Sequence, residues 1–318
     1  MAVTMGPVVA SAQQAPTGGE NLAYLITFGK DALVAQGDDD FVQIFFVLIP
    51  EDFKNPFFVR VFDPDVGGGL DEPNKLTGNR YNTKTKFSIY GGKGAFSDPD
   101  ARATDPKGNY DSGTLLASKI FGANKRYDDS WYSFGPFNPS EGEYVETWKG
   151  KVFKIIAEGI EGDDGNLYKY FVSTEMTLNK PVEGANLFTY EYTCRLMLEQ
   201  NSVAHLYPYM DSKSIAIKQS NFDFDTDGEI RLYSAVKNGH PMAKSTNGQW
   251  ASSKHQISER ERNACIDIQI HKKNLGINNL TFFITNQYDE AMPFFTIPIG
   301  GVPKYEYEID VIYHSEEK

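Results

Sequence analysis

Cys265-Ile266-Asp267-Ile268-Gln269-Ile270 decides the fold class. Apolar and polar residues alternate here with a period of two. That is the pattern of a strand with one face in a core and the other toward water. Segments of this kind recur at 22–28, 42–48, 57–62, 86–90, 152–157, 168–173, 188–196, 214–218, 229–234, 266–271 and 280–285. They are short, rich in β-branched and aromatic residues, and mostly bounded by turn residues. No long stretch keeps a 3.6-residue apolar period, and short helical turns are predicted only near 113–120 and 258–262. The chain therefore reads as all-β: two tandem β-sandwich domains with long loops.

The composition agrees. The 318 residues are 40% hydrophobic, 14% aromatic and 23% charged. Such a length suits two domains, each with its own core. With 31 basic and 43 acidic residues the net charge is −12. A nucleic-acid partner needs a basic face, and anionic lipid attracts basic clusters, so both are disfavoured. An acidic surface suits solubility and divalent cations. The longest apolar run, FVQIFFVLIP at 41–50, is half the length of a membrane-spanning helix, which needs about 20 residues.

Residues 2–10 are mostly small and apolar, and Ala10-Ser11-Ala12 has the A-x-A form of a cleavage site. This reads as the back half of a secretory signal without its basic front, with cleavage after Ala12. A secreted, periplasmic or cell-surface location follows. Residues 12–19 read as a short linker, so 1–19 stand apart from the folded domains. Cys194 and Cys265 either pair after export or stay as buried thiols. No C-x-x-C motif is present.

The chain also appears as two related halves. Gly19-Glu20-Asn21-Leu22 matches Gly184-Ala185-Asn186-Leu187, and Phe62-Asp63-Pro64-Asp65 recurs as Phe222-Asp223-Phe224-Asp225. The hairpin at 153–173 has the length of that at 265–285. The order is kept, which predicts a duplication with domains at 20–180 and 184–318. The first half carries extra material at 91–146. A structureless loop of that length is improbable, so added strands are expected there, with Phe134 and Phe137 in the core.

The strongest chemical motif is Asp223-Phe224-Asp225-Thr226-Asp227-Gly228-Glu229-Ile230. D-x-D-x-D-G sets three carboxylates around a tight turn that glycine permits. Hard oxygens gathered in this way suit Ca2+. The segment resembles the first half of an EF-hand or dockerin calcium loop, over residues 223–230. Ser234 stands where an EF-hand loop closes with Glu, and 229–233 reads as a strand. The expectation is thus a calcium loop inside a β-sandwich, with Asp223, Asp225, Asp227 and Glu229 as ligands. A second candidate joins Asp63, Asp65 and Asp71 across Gly67-Gly68-Gly69. Asp38-Asp39-Asp40 is a weaker one, and Asp163-Asp164-Gly165-Asn166 reads as a hairpin turn.

Tyr127, Trp131 and Tyr132 lie among carboxylates and offer an aromatic platform for a sugar. The alternative is that they pack their loop onto the sandwich. No G-x-S-x-G, H-E-x-x-H, P-loop or G-x-G-x-x-G motif is present, and the five histidines are scattered singly. The leading expectation is a calcium-binding structural or adhesion protein, loosely resembling calcium-binding bacterial surface modules. A carbohydrate-binding protein is second, and a hydrolase without nameable catalytic residues is third. Partners would be a surface glycan, another surface protein or further copies of the chain. The segment YEYEIDVIY at 305–313 reads as a last strand, kept or donated to a neighbour.

Overall fold

The computed structural model describes residues 13–37, 40–74 and 81–307. The expected cleavage site at Ala12, the Asp38-Asp39 pair and the tail beyond Tyr307 lie outside them. The first half contributes β1 (Gln14–Ala15), β2 (Leu22–Phe28), β3 (Val42–Pro50), β4 (Phe57–Phe62) and β5 (Lys84–Gly91). It continues with β6 (Thr114–Phe121), β7 (Trp131–Phe137), β8 (Glu143–Val145), β9 (Gly150–Glu161) and β10 (Gly165–Ser173). The second half opens with β11 (Asn186–Thr189), β12 (Glu191–Leu196), β13 (Val203–Leu206), β14 (Tyr209–Met210), β15 (Ala216–Phe222) and β16 (Gly228–Tyr233). It ends with β17 (Asn238–Pro241), β18 (Trp250–Gln256), β19 (Ala264–Cys265), β20 (Asp267–Lys272), β21 (Asn279–Asn286) and β22 (Phe294–Phe295).

These strands make two sandwiches of one design. In the first half β2-β10-β4-β7 faces β3-β9-β5-β6. In the second, β12-β21-β15-β18 faces β13-β20-β16-β17. Both follow the strand order of a jelly roll. All named pairs are antiparallel, and alternate side chains of each strand point inward. Between the first two layers Phe45 meets Tyr170 at 5.5 Å, Phe87 meets Tyr168 at 5.1 Å and Phe57 meets Phe153 at 5.0 Å. In the second half Ile230, Leu232, Ile268 and Ile270 join Ile217, Leu280, Phe282 and Ile284 in the core. Among the described residues no helix is long and apolar enough to cross a membrane.

Register repeats as well as order. Phe62 of β4 stands opposite Lys169 of β10, and Phe222 of β15 opposite Thr281 of β21. The halves are also interlocked. Strand β12 pairs with β2, so two four-stranded layers run on as one sheet, and β11 with β22 extends the other layer beyond β3.

Several local expectations change. Residues 188–196 form two strands in different sheets, broken at Tyr190; Phe188 stacks on Phe46 while Tyr192 meets Phe45. Residues 114–121 are strand rather than a helical turn: they pair along β5, and Ser118 Oγ meets Ser88 Oγ at 2.9 Å. The expected linker is packed from Gln13 onward, because Gln14 and Ala15 pair with Phe171 and Tyr170. The match of 19–22 with 184–187 also fails in space. Leu25 faces Tyr168 as Cys194 faces Leu280, so β2 answers to β12 and not to β11. The extra material at 91–146 does supply strands, with Phe134 and Phe137 buried. Both cysteines are free and buried.

Candidate metal centre

The acidic centre forms where β4 runs out. Asp63 has a φ of +53°, a left-handed turn that aspartate tolerates through its short polar side chain. Its amide donates to Ser130 O at 2.9 Å, and its carboxylate accepts the Asp129 amide at 3.0 Å. These bonds clamp the β4–β5 loop to the loop entering β7. Asp65 follows, its Oδ2 accepting the Asn124 amide at 2.9 Å. From the other loop Asp128 leans over Gly68, where φ is +67° and an added Cβ would stand 3.2 Å from Asp128 Cγ. Glycine there permits the close approach.

Asp63, Asp65 and Asp128 thereby place one oxygen each within 4.8 Å of one another. They form a cluster able to hold a metal ion. Asp65 is fully buried, and its Oδ1 has no hydrogen-bond donor. Burial, together with neighbouring carboxylates, raises Asp63 to about 7 and Asp65 to about 6. Asn166 packs alongside: its Nδ2 donates to Pro64 O at 3.0 Å, and its own buried Oδ1 lacks a donor.

Asp71 has a different task. Its oxygens accept the Gly67 amide at 2.6 Å and the Leu167 amide at 2.7 Å, holding the glycine curl against β10. Burial first, then Asp63 and Asp65, raise it to about 9. Asp128 takes the place that the sequence reading gave to Asp71. Its signal was its position in Asp128-Asp129-Ser130-Trp131, beside Asp63 across the sheet, which spacing along the chain cannot reveal.

In the second half the same corner is built, but Asp227 and Glu229 already meet cations there, while burial and neighbouring carboxylates raise Asp223 to about 7. Asp223 repeats Asp63: φ is +59°, its amide points to Gln249 O at 3.4 Å, and its carboxylate accepts the Gly248 amide at 2.6 Å. Asn278 repeats Asn166, donating to Phe224 O at 2.9 Å. Asn247 stands where Asp128 does. Asp225 is exposed. Asp227 accepts Lys272 Nζ at 2.6 Å, Asn278 Nδ2 at 3.1 Å and the Asn274 amide at 2.9 Å. Glu229 lies on β16 and pairs with Arg231 and with Lys273 at 2.7 Å, which lowers it to about 2. A buried lysine therefore meets Asp227, and the immediate start of β16 at Gly228 turns Glu229 away.

The expected aromatic platform divides. Trp131 and Tyr132 are consecutive on β7 and leave opposite faces of the sheet. Trp131 sits on Phe62 at 5.3 Å and Phe171 at 6.2 Å, with the Arg60 guanidinium 5.1 Å from its ring. Tyr127 and Tyr132 flank Phe121 and share the Lys119 ammonium. All three pack the loop onto the sandwich. Asp163-Asp164-Gly165-Asn166 is not the expected hairpin turn. Strands β9 and β10 lie in opposite layers, as β20 and β21 do, so the segment crosses between sheets, and Asp164 holds the crossing by accepting the Asn74, Asn82 and Thr83 amides.

No protein-family model matches this chain, and no curated protein matches it. Fold and site therefore stand on their own geometry: a paired jelly-roll protein in which, among the described residues, the largely buried carboxylates of Asp63, Asp65 and Asp128 are grouped closely enough to hold a metal ion.

Proposed function

We propose that this is a secreted or cell-surface protein with a structural or adhesive role, braced by calcium at Asp63, Asp65 and Asp128. The observation that carries the reading is Asp65 Oδ1, a donorless oxygen on a fully buried side chain inside a three-carboxylate cluster. Such charges repel one another unless protons or a cation offset them. The ligand set is oxygen alone, with neither histidine nor cysteine in it, which suits a hard cation rather than zinc. A bound ion would tie the β4–β5 loop to the β6–β7 loop and stabilise the folded chain by linkage. The net charge of −12 and the A-x-A segment support an exported protein. The matching order and register of the two halves support descent from one duplicated module. A surface glycan or another surface protein would be the partner.

Isothermal titration with calcium chloride tests the site. The native chain should bind, Asp65→Asn and Asp128→Asn should not, and Asp225→Asn should bind as the native chain does. Absence of binding by the native chain would contradict the reading.

A further inference from the structure

A second site emerges on the far side of the first sandwich from the acidic centre's sheet, where the two halves meet. A cavity of about 680 Å³ opens between the 3-10 turn at Pro99–Arg102 and the β21–β22 connection. That size lies in the range of small-ligand pockets. Phe96, Trp148 and Tyr209 line it. Trp148 is fixed by near-perpendicular contacts with Phe188 at 4.8 Å and Phe295 at 5.4 Å, and by Phe96 at 5.1 Å. The aromatic wall is thus rigid before any ligand arrives.

Two polar atoms on the lining lack partners, one of them on Arg102, whose guanidinium also bonds Tyr190. Thr285 is 9% exposed and its Oγ1 makes no hydrogen bond. Arg102, held over the Phe96 ring at 5.2 Å, has a buried Nε without an acceptor. Leaving such atoms unpaired in the interior is costly, so a ligand that satisfies them gains affinity. Asp105, Asp211, Asp289 and Glu290 also line the cavity, against the single cation Arg102. That excess of carboxylates repels anions and offers acceptors to hydroxyl donors.

We infer that this cavity binds a neutral oligosaccharide. Sugar rings present C–H faces that stack on aromatic walls. Their hydroxyls both donate and accept, which meets Arg102 Nε, Thr285 Oγ1 and the carboxylates together. The inference is independent of the calcium centre and uses none of its residues.

The test is titration calorimetry of the full chain with cellotetraose, chitotetraose, mannotetraose and xylotetraose, each to millimolar concentration. At least one should bind. Thr285→Val removes a hydroxyl that makes no bond in the folded chain, so the melting temperature should hold while affinity falls about tenfold. Arg102→Gln should weaken binding likewise, and Trp131→Ala should leave it unchanged. No binding by any of the four sugars would overturn the inference, as would binding that survives both Thr285→Val and Arg102→Gln.

Discussion

Leu25 and Cys194 face each other across the antiparallel pair of β2 and β12. They are also register equivalents, since Leu25 faces Tyr168 on β10 and Cys194 faces Leu280 on the matching strand β21. Equivalent residues meeting across an antiparallel pair define a local two-fold axis through that contact. The pairing covers one edge of each four-stranded layer, edges that would otherwise invite association.

The thiol at this axis should be inert. Cys194 is fully buried with its Sγ 3.8 Å from Leu280 O, and Cys265 Sγ accepts the Ile299 amide at 3.2 Å. Burial pushes both thiols upward, Cys265 to about 12. Ellman's reagent should find no reactive thiol in the folded chain and two after denaturation. Two missing thiols in the denatured, unreduced chain would show a disulfide instead.

Glu20 sets a pH response. It is fully buried, accepts the Thr17 amide at 2.7 Å and bonds the Tyr192 hydroxyl. Burial raises it from 4.5 to about 7, so the folded state keeps a proton that the unfolded chain has released. Its contribution is complete below about 4.5 and lost as pH rises through about 7. Urea unfolding from pH 4 to 8 should show Glu20→Gln losing less stability than the native chain, by on the order of 3 kcal/mol. Parallel curves would refute the role given to Glu20.

Asp227 and Lys272 form a buried ion pair, 5% and 2% exposed. Asp227→Asn would leave an ammonium buried without its counter-charge, at a cost of about 3–5 kcal/mol. Adding Lys272→Met should restore much of that. A double-mutant cycle by urea unfolding reads the coupling, and additive effects would contradict a paired role.

Much of this fold was legible in the sequence. Residues 22–28 and 57–62 form strands with the expected bounds, because turn residues or charge mark both ends. Strands such as Trp250–Gln256, with Ser252, Ser253 and Lys254, escaped notice because they lie at a sheet edge and need little apolar surface. The acidic centre was half legible. Phe62-Asp63-Pro64-Asp65 announced two of its carboxylates. The third comes from a loop that only the pairing of β4 with β7 brings near. In the more conspicuous D-x-D-x-D-G, the lysine that Asp227 meets, Lys272, is distant in sequence and adjacent in space, so the motif alone does not announce it.

Trp131 should matter for stability rather than for sugar. Trp131→Ala removes contacts with Phe62, Phe171 and Arg60 and should cost about 2 kcal/mol. Chemical denaturation measures that loss, and an unchanged midpoint would deny the packing role.

The acidic centre is tested most directly by melting the native chain and its Asp65→Asn variant in EDTA and in millimolar calcium. Calcium at a hundredfold excess over its dissociation constant adds about 2.7 kcal/mol. The native chain should then melt about 5 °C or more higher with calcium. In EDTA the variant should equal or exceed the native chain, because asparagine relieves the carboxylate repulsion, and calcium should leave it unmoved. A native chain whose melting temperature ignores calcium, or a variant that rises with it as the native chain does, would contradict calcium binding at Asp63, Asp65 and Asp128.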